Sequence, residues 1–140
     1  MINIHATLIS CQNNGILLIG PSGSGKSDLA LRMIMENNAI LVADDRVNIE
    51  VIDGCLVGSS PAETFGKIEI RNLGIFPINA KRHEKISLCI ELCTDRDKLE
   101  RMPEDEYVDF LGVSVAKVKL YPFDCSTTYK IIAKISSILS

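Results

Sequence analysis

An excess of positive charge is missing from this sequence. Fifteen Lys and Arg face eighteen Asp and Glu, for a formal net charge of -3 and a pI near 5.4. A chain without a basic field has little with which to hold a nucleic-acid backbone, so a protein or small molecule is the expected partner. No apolar run is long enough to cross a bilayer, so no membrane association is expected. The start, Met1-Ile2-Asn3-Ile4-His5, lacks the basic opening and long apolar core of a signal peptide. CxxC pairs are also missing: Cys11, Cys55, Cys89, Cys93 and Cys125 are scattered and odd in number. That leaves zinc and dithiol motifs unsupported and fits free thiols in a reducing cytoplasm. Repeats, low-complexity tracts and Gly/Ser linkers are absent too, so residues 1–140 are expected to form one domain.

What is present is core-forming material: 46% of residues are hydrophobic, with a mean hydropathy of +0.19. Ala6 to Ser10 reads as a strand, and Gln12-Asn13-Asn14-Gly15 as a hairpin turn. The unbroken run Ile16-Leu17-Leu18-Ile19 predicts a strand buried on both faces. Leu29, Ala30, Met33 and Ile34 recur at helical spacing from Lys26 to about Glu36, and Asn37-Asn38 ends the pattern. Ile40 to Ala43 is a second buried strand that closes on Asp44-Asp45.

The remainder turns β-rich. Val47–Val51 and Cys55–Val57 flank a turn at Asp53-Gly54, and Ile68–Ile70 and Ile86–Leu92 are further strands. Thr94 to Asp109 is expected to be a charged surface segment with some helix. Leu111 to Leu120 alternates but slips phase near Ala116-Lys117, which suggests a bulge. Ile131, Ile132, Ile135, Ile138 and Leu139 predict a terminal amphipathic helix. With the P-loop pattern GPSGSGKS at residues 20–27 set between strand and helix, the expected fold is α/β: a P-loop domain with a mixed β-sheet, extra strands and a C-terminal helix.

The segment Gly20-Pro21-Ser22-Gly23-Ser24-Gly25-Lys26-Ser27 satisfies GxxxxGK[ST]. Its glycines let backbone N–H groups turn toward phosphate oxygens while the following helix aims its positive end at the same anion. Lys26 supplies a point charge for the terminal phosphates, and the Ser27 hydroxyl suits Mg²⁺. Asp44 and Asp45 follow one helix later. Side chains alternate along a strand, so one carboxylate can approach the metal shell and the other the attacking group. Glu69 and Arg71 would share a strand face, and their spacing alone indicates only a surface ion pair. His5, His83 and Arg101 are isolated side chains whose spacing assigns no role.

Together, His5, GPSGSGKS at 20–27, Leu41-Val42-Ala43-Asp44-Asp45 and Ile68-Glu69-Ile70-Arg71-Asn72-Leu73-Gly74 resemble the catalytic domain of the bacterial HPr kinase/phosphorylase family. The register is good from about Ile4 to Ile78. Ala6, Asp28 and Asn72 depart from the residues usual there (Gly, Glu and Gly). The resemblance implies a Mg²⁺-dependent kinase that phosphorylates a serine of the phosphocarrier HPr from ATP or pyrophosphate. It is to the short form, without the family's N-terminal domain, and it implies a homo-oligomer, hexameric in the family. It makes His5 an active-site histidine, Lys26 the P-loop lysine and Asp45 the acceptor of the serine proton. Ser27 and Glu69 become metal ligands with Asp44 beside them, and Arg101 aligns with a catalytic arginine. In the family the reverse phosphorylase reaction leans on a basic loop near the last strand. The corresponding Leu120–Ser126 carries no Lys or Arg and one acid, Asp124, so weak phosphorylase activity is expected. Two alternatives stay open: a P-loop kinase for a small alcohol, and a nucleotide sensor without catalysis.

Overall fold

The computed structural model describes residues 1–139 of the 140, and the Leu139 side chain lies outside the described residues. A hairpin builds the centre. Strands β2 (Thr7–Cys11) and β3 (Asn14–Ile19) pair antiparallel around a two-residue turn, with Cys11 opposite Asn14. Gln12 and Asn13 both take positive φ, 53° and 59°. Asn tolerates this left-handed region, and the resulting twist matches that of the strands.

Helix α1 (Lys26–Asn37) then crosses to β4 (Ile40–Ala43), which pairs with β2. Both β3 and β4 run antiparallel to β2, so they are parallel to each other with β2 between them. The C-terminal ends of β3 and β4 therefore open on the same edge. In α/β sheets such an edge is where ligands bind.

The sheet continues through β1 (Ile2–His5), β5 (Arg46–Ile52), β6 (Cys55–Ser59) and β9 (His83–Leu92) in the order β1-β5-β6-β9-β3-β2-β4. The ten-residue β9 has a double role. His83–Lys85 pair antiparallel with β6, and from Ile86 onward the strand runs parallel to β3. It also pairs parallel with β11 (Val113–Leu120), whose other edge carries β10 (Glu106–Phe110). A separate hairpin, β7 (Lys67–Ile70) and β8 (Gly74–Pro77), lies off this sheet. The chain closes with α2 (Thr127–Leu139).

The helices cover one face of the central strands. There Ile9, Ile16, Leu18, Leu41, Leu88 and Ile90 pack with Leu29 and Met33 of α1 and Ile131 and Ile135 of α2. On the other face Leu8, Leu17, Val42 and Cys89 meet Val47, Ile49 and Leu56, because the sheet curls back over itself. Double coverage is why residues 16–19 read as continuous apolar sequence.

Three expectations need correction. The strand expected first, over Ala6–Ser10, is β2 and is preceded by a further strand, β1, with Ala6 between them. Thr94–Asp109 holds only a one-turn 3-10 helix at Arg96–Lys98 and ends in a strand, with Glu106 onward pairing with β11. No bulge interrupts β11 at Ala116-Lys117, and its register with β10 and β9 is continuous there. The phase slip has another cause: Val113 and Val115 face the curled side, whereas Ala116, Val118 and Leu120 pack on the helix side.

Candidate active site

At the open edge, β3 ends and the Gly20–Gly25 loop leads into α1. Gly25 is the N-cap of α1 with φ 94°, and no side chain caps the helix. Gly23 takes φ 79°, a region in which only glycine sits without strain. Uncapped, the first N–H groups of α1 have no intrahelical partners. Inside the loop, the Ser24 hydroxyl is buried without a hydrogen-bond partner among the described residues. The Lys26 ammonium donates to the carbonyls of Gly20 at 2.7 Å and Pro21 at 3.0 Å. Burial pushes its pKa below the ordinary lysine value, while the charges of Asp45 and Asp44 pull the other way.

Beyond β4, Asp44 is nearly buried and accepts three hydrogen bonds. Ser27 Oγ donates to Oδ1 at 2.7 Å and Thr7 Oγ1 to the same oxygen at 3.1 Å. The Glu69 backbone N–H donates to Oδ2 at 3.1 Å. Asp44 thereby ties the helix start, the central strand and the β7 hairpin to one carboxylate.

Asp45 turns outward. Its φ is 69°, and its side chain meets His5 Nε2 through Oδ1 at 2.9 Å. The opposite orientations of the two acids were expected from strand alternation, but β4 ends at Ala43. A tight turn separates them instead, with Arg46 N–H donating to Asp44 O at 2.8 Å.

His5, Thr7, Lys26, Ser27, Asp45, Glu69 and Arg71 line one cavity of about 600 Å³ with Ser22, Gly23, Gly25, Asp28, Leu31, Ile70 and Phe123. Glu69 and Arg71 form no ion pair with each other among the described residues. Arg101 is elsewhere, exposed on the segment between the Arg96–Lys98 turn and β10. His83 is also outside the cavity, at the start of β9.

The sequence reading missed Thr7, Leu31 and Phe123. It also took Asp124 for a bare negative charge near the site. In the structure Asp124 is paired with Arg96 and lies 3.9 Å from Lys130, so its charge is offset by two cations. The neighbouring Phe123 lines the cavity in its place.

The chain is similar to known proteins over most of its length. The model of the HPr Serine kinase C-terminal domain matches residues 1–136. HPr kinase/phosphorylases of Clostridium perfringens and Clostridium kluyveri are 38% identical over 127 residues, covering 84% of this chain and 41% of each relative. That of Clostridium beijerinckii is 35% identical over 125 residues. This chain thus spans about two fifths of the length of these curated relatives. The Hpr(Ser) kinase/phosphatase structure from Coxiella burnetii superposes with a TM-score of 0.82 at 22% identity, covering 99% of this chain and 88% of that one. It shares the mixed α/β fold, with its large curled sheet and C-terminal helix. No helix among the described residues is long and apolar enough to cross a membrane. With most of its length matched by one family model and its relatives above 30% identity, the chain belongs to the HPr serine kinase C-terminal domain family.

Proposed function

We propose that this chain is the catalytic part of a Mg²⁺-dependent kinase that transfers the terminal phosphoryl group of ATP to a serine of HPr or an HPr-like carrier. One observation carries the reading: the exposed Asp45 carboxylate, held by His5, opens on the same cavity as Lys26 and Ser27.

The residues present fit the phosphate chain. The uncapped start of α1 offers N–H groups, and a Cβ built at Gly23 would touch nothing within 4 Å, so the loop is free to wrap an anion. Lys26, poised on two loop carbonyls, exchanges them for phosphate oxygens. Mg²⁺ also fits. No group of three or more His, Cys, Asp or Glu side chains among the described residues could hold a metal, and Mg²⁺ needs none. It is commonly bound by one or two protein oxygens, water and substrate phosphates. Ser27 and Glu69 would hold it, with Asp44 fixing the Ser27 hydroxyl. When bound, it supplies charge neutralisation on the transferring group.

His5 engages Oδ1 of Asp45, which leaves Oδ2 for the acceptor. The serine hydroxyl gives its proton to that oxygen as its own oxygen bonds to the γ-phosphorus and ADP departs. Arg101 lies outside the cavity, so we assign it no step. The reverse attack by inorganic phosphate is weak in this reading, since the loop after β11 turns an aromatic ring to the cavity where a cation would attract phosphate.

The test is to incubate the protein with labelled ATP, Mg²⁺ and HPr and to map the label. Phosphoserine on HPr supports the reading. Label confined to a small alcohol, or nucleotide binding without transfer, would replace it.

A further inference from the structure

The loop after β11 presents Phe123 to the cavity and holds it still. Phe123 is 53% exposed. Arg32 of α1 donates to the carbonyls of Pro122 and Asp124, the two residues flanking it. Arg96 lies 4.5 Å over the Tyr121 ring and pairs with Asp124. Thr127 Oγ1 donates to Tyr121 O at 2.6 Å. Tyr121 meets Phe123 edge to face, with centroids 5.6 Å apart and planes at 82°.

The ring is also placed against the phosphate loop. A Cβ built on Gly25 would lie 3.0 Å from it, so Phe123 stands at the uncapped N-terminus of α1. Beside it the cavity is lined by Asp28 and Leu31 of the same helix. His5 and the charged groups Asp45, Glu69 and Arg71 come from β1, the turn after β4 and the β7 hairpin. An anchored aromatic face next to an anion site suits a ligand that joins a phosphate chain to a flat ring.

We propose that Phe123 is the stacking platform for the base of a purine nucleotide, so that this site takes nucleotides in preference to pyrophosphate. This rests on the phosphate-site reading above and adds to it the residue that holds the donor's base. Pyrophosphate reaches Lys26 and Ser27 equally well but has nothing to lay on the ring. Stacking on one aromatic side chain changes affinity by about tenfold. It is tolerant of base identity, so adenine and guanine nucleotides bind alike and purines bind more tightly than pyrimidines.

The test is calorimetric titration of ADP and of pyrophosphate, each with Mg²⁺, into the wild-type chain and into Phe123→Ala, Phe123→Trp and Lys26→Ala. Wild type is expected to bind ADP about tenfold more tightly than pyrophosphate. Phe123→Ala should weaken ADP by about tenfold and pyrophosphate by less than about twofold, and Phe123→Trp should retain ADP affinity. Equal losses for both ligands, or none, would reduce Phe123 to a packing residue over Gly25 and overturn the proposal. If pyrophosphate binds in a Lys26-dependent way and ADP gains nothing, only this inference falls. If neither ligand binds wild type, the phosphate site falls with it.

Discussion

Asp44 and Asp45 are joined by one peptide bond, yet Asp44 is only 5% exposed while the side chain of Asp45 is 70% exposed. The first is saturated by three donors and the second keeps an oxygen free. Their substitutions should therefore fail in different ways. Asp45→Asn keeps the hydrogen-bonding shape but cannot take a proton, so phosphorylation should fall by roughly 10²–10⁴-fold with nucleotide affinity unchanged. Asp44→Asn places an amide NH₂ against existing donors and should cost about 1–3 kcal/mol of stability as well as activity. Kinase assays beside urea titrations separate the two. An active Asp45→Asn enzyme would reverse the assignment within the pair, and an inactive wild type with intact nucleotide binding would favour the sensor.

Lys26→Ala should abolish transfer in a protein that still folds. Among the described residues the ammonium bonds only to loop carbonyls, and burial already lowers its pKa, so the fold has little to lose. Removing a preorganised charge that faces the transferring phosphoryl costs about 3 kcal/mol or more in the transition state. Turnover within tenfold of wild type, with an unchanged melting curve, would sink the phosphate-loop assignment.

Thr7→Val keeps the β-branched shape on β2 and deletes the hydroxyl that donates to Asp44. Stability should drop by about 1 kcal/mol, and the Mg²⁺ needed for half-maximal activity should rise, because Asp44 then positions Ser27 less firmly. A Mg²⁺ titration that superimposes on wild type would confine Thr7 to packing.

Glu69→Gln tests the metal more directly. The backbone N–H at this position still reaches Asp44, so the hairpin should stay docked. A neutral amide is a poorer ligand for a hard cation than a carboxylate, so only the Mg²⁺ requirement should shift upward. An unchanged requirement would leave Glu69 as a surface residue.

A further acid works away from the site. Burial pushes the Glu84 carboxyl up, but Lys81, the Ser10 hydroxyl and the Lys85 N–H outweigh it and hold its pKa below the ordinary value. A carboxyl whose pKa is depressed on folding stabilises the protein above its unfolded value, and that contribution disappears as pH falls through the folded value. Glu84→Gln should therefore be less stable than wild type by about 1.5–3 kcal/mol at pH 7. The gap should narrow steadily below the ordinary glutamate pKa, about 4.3. Paired urea titrations at pH 7 and at about pH 3.5 would show it, and a gap that persists in acid would refute the linkage.

What the sequence revealed depended on whether the signal was local. The apolar run Ile16–Ile19, the helix after Lys26 and the strand before Asp44 have contiguous patterns, and each appears within a few residues of its expected limits. Thr7 could not be found that way. Its partners are Asp44, 37 residues distant, and through it Ser27, and only the insertion of β2 between β3 and β4 brings them together. Phe123 was hidden for a related reason: its loop was read for charge, whereas the structure neutralises Asp124 and turns the ring to the cavity. Strand β10 was obscured by its acidic composition, since its order is set by β11 across the pair.

The dual pairing of β9 has a consequence for how the chain acquires its shape. Strand β3, which ends at the Gly20–Gly25 loop, has two sheet neighbours, and one of them is supplied by residues Ile86–Glu91. The β2–β3 hairpin closes over two residues and can form within microseconds. It must then wait, with an open edge of Ile and Leu, for a strand some seventy residues downstream to arrive. Pairing over such a separation is entropically slow. During synthesis, that hydrophobic edge is left unpaired until β9 has emerged, and it is the segment on which a holding chaperone would act. Nascent chains halted before Ile86 should bind such a chaperone, and chains extended past Leu92 should release it.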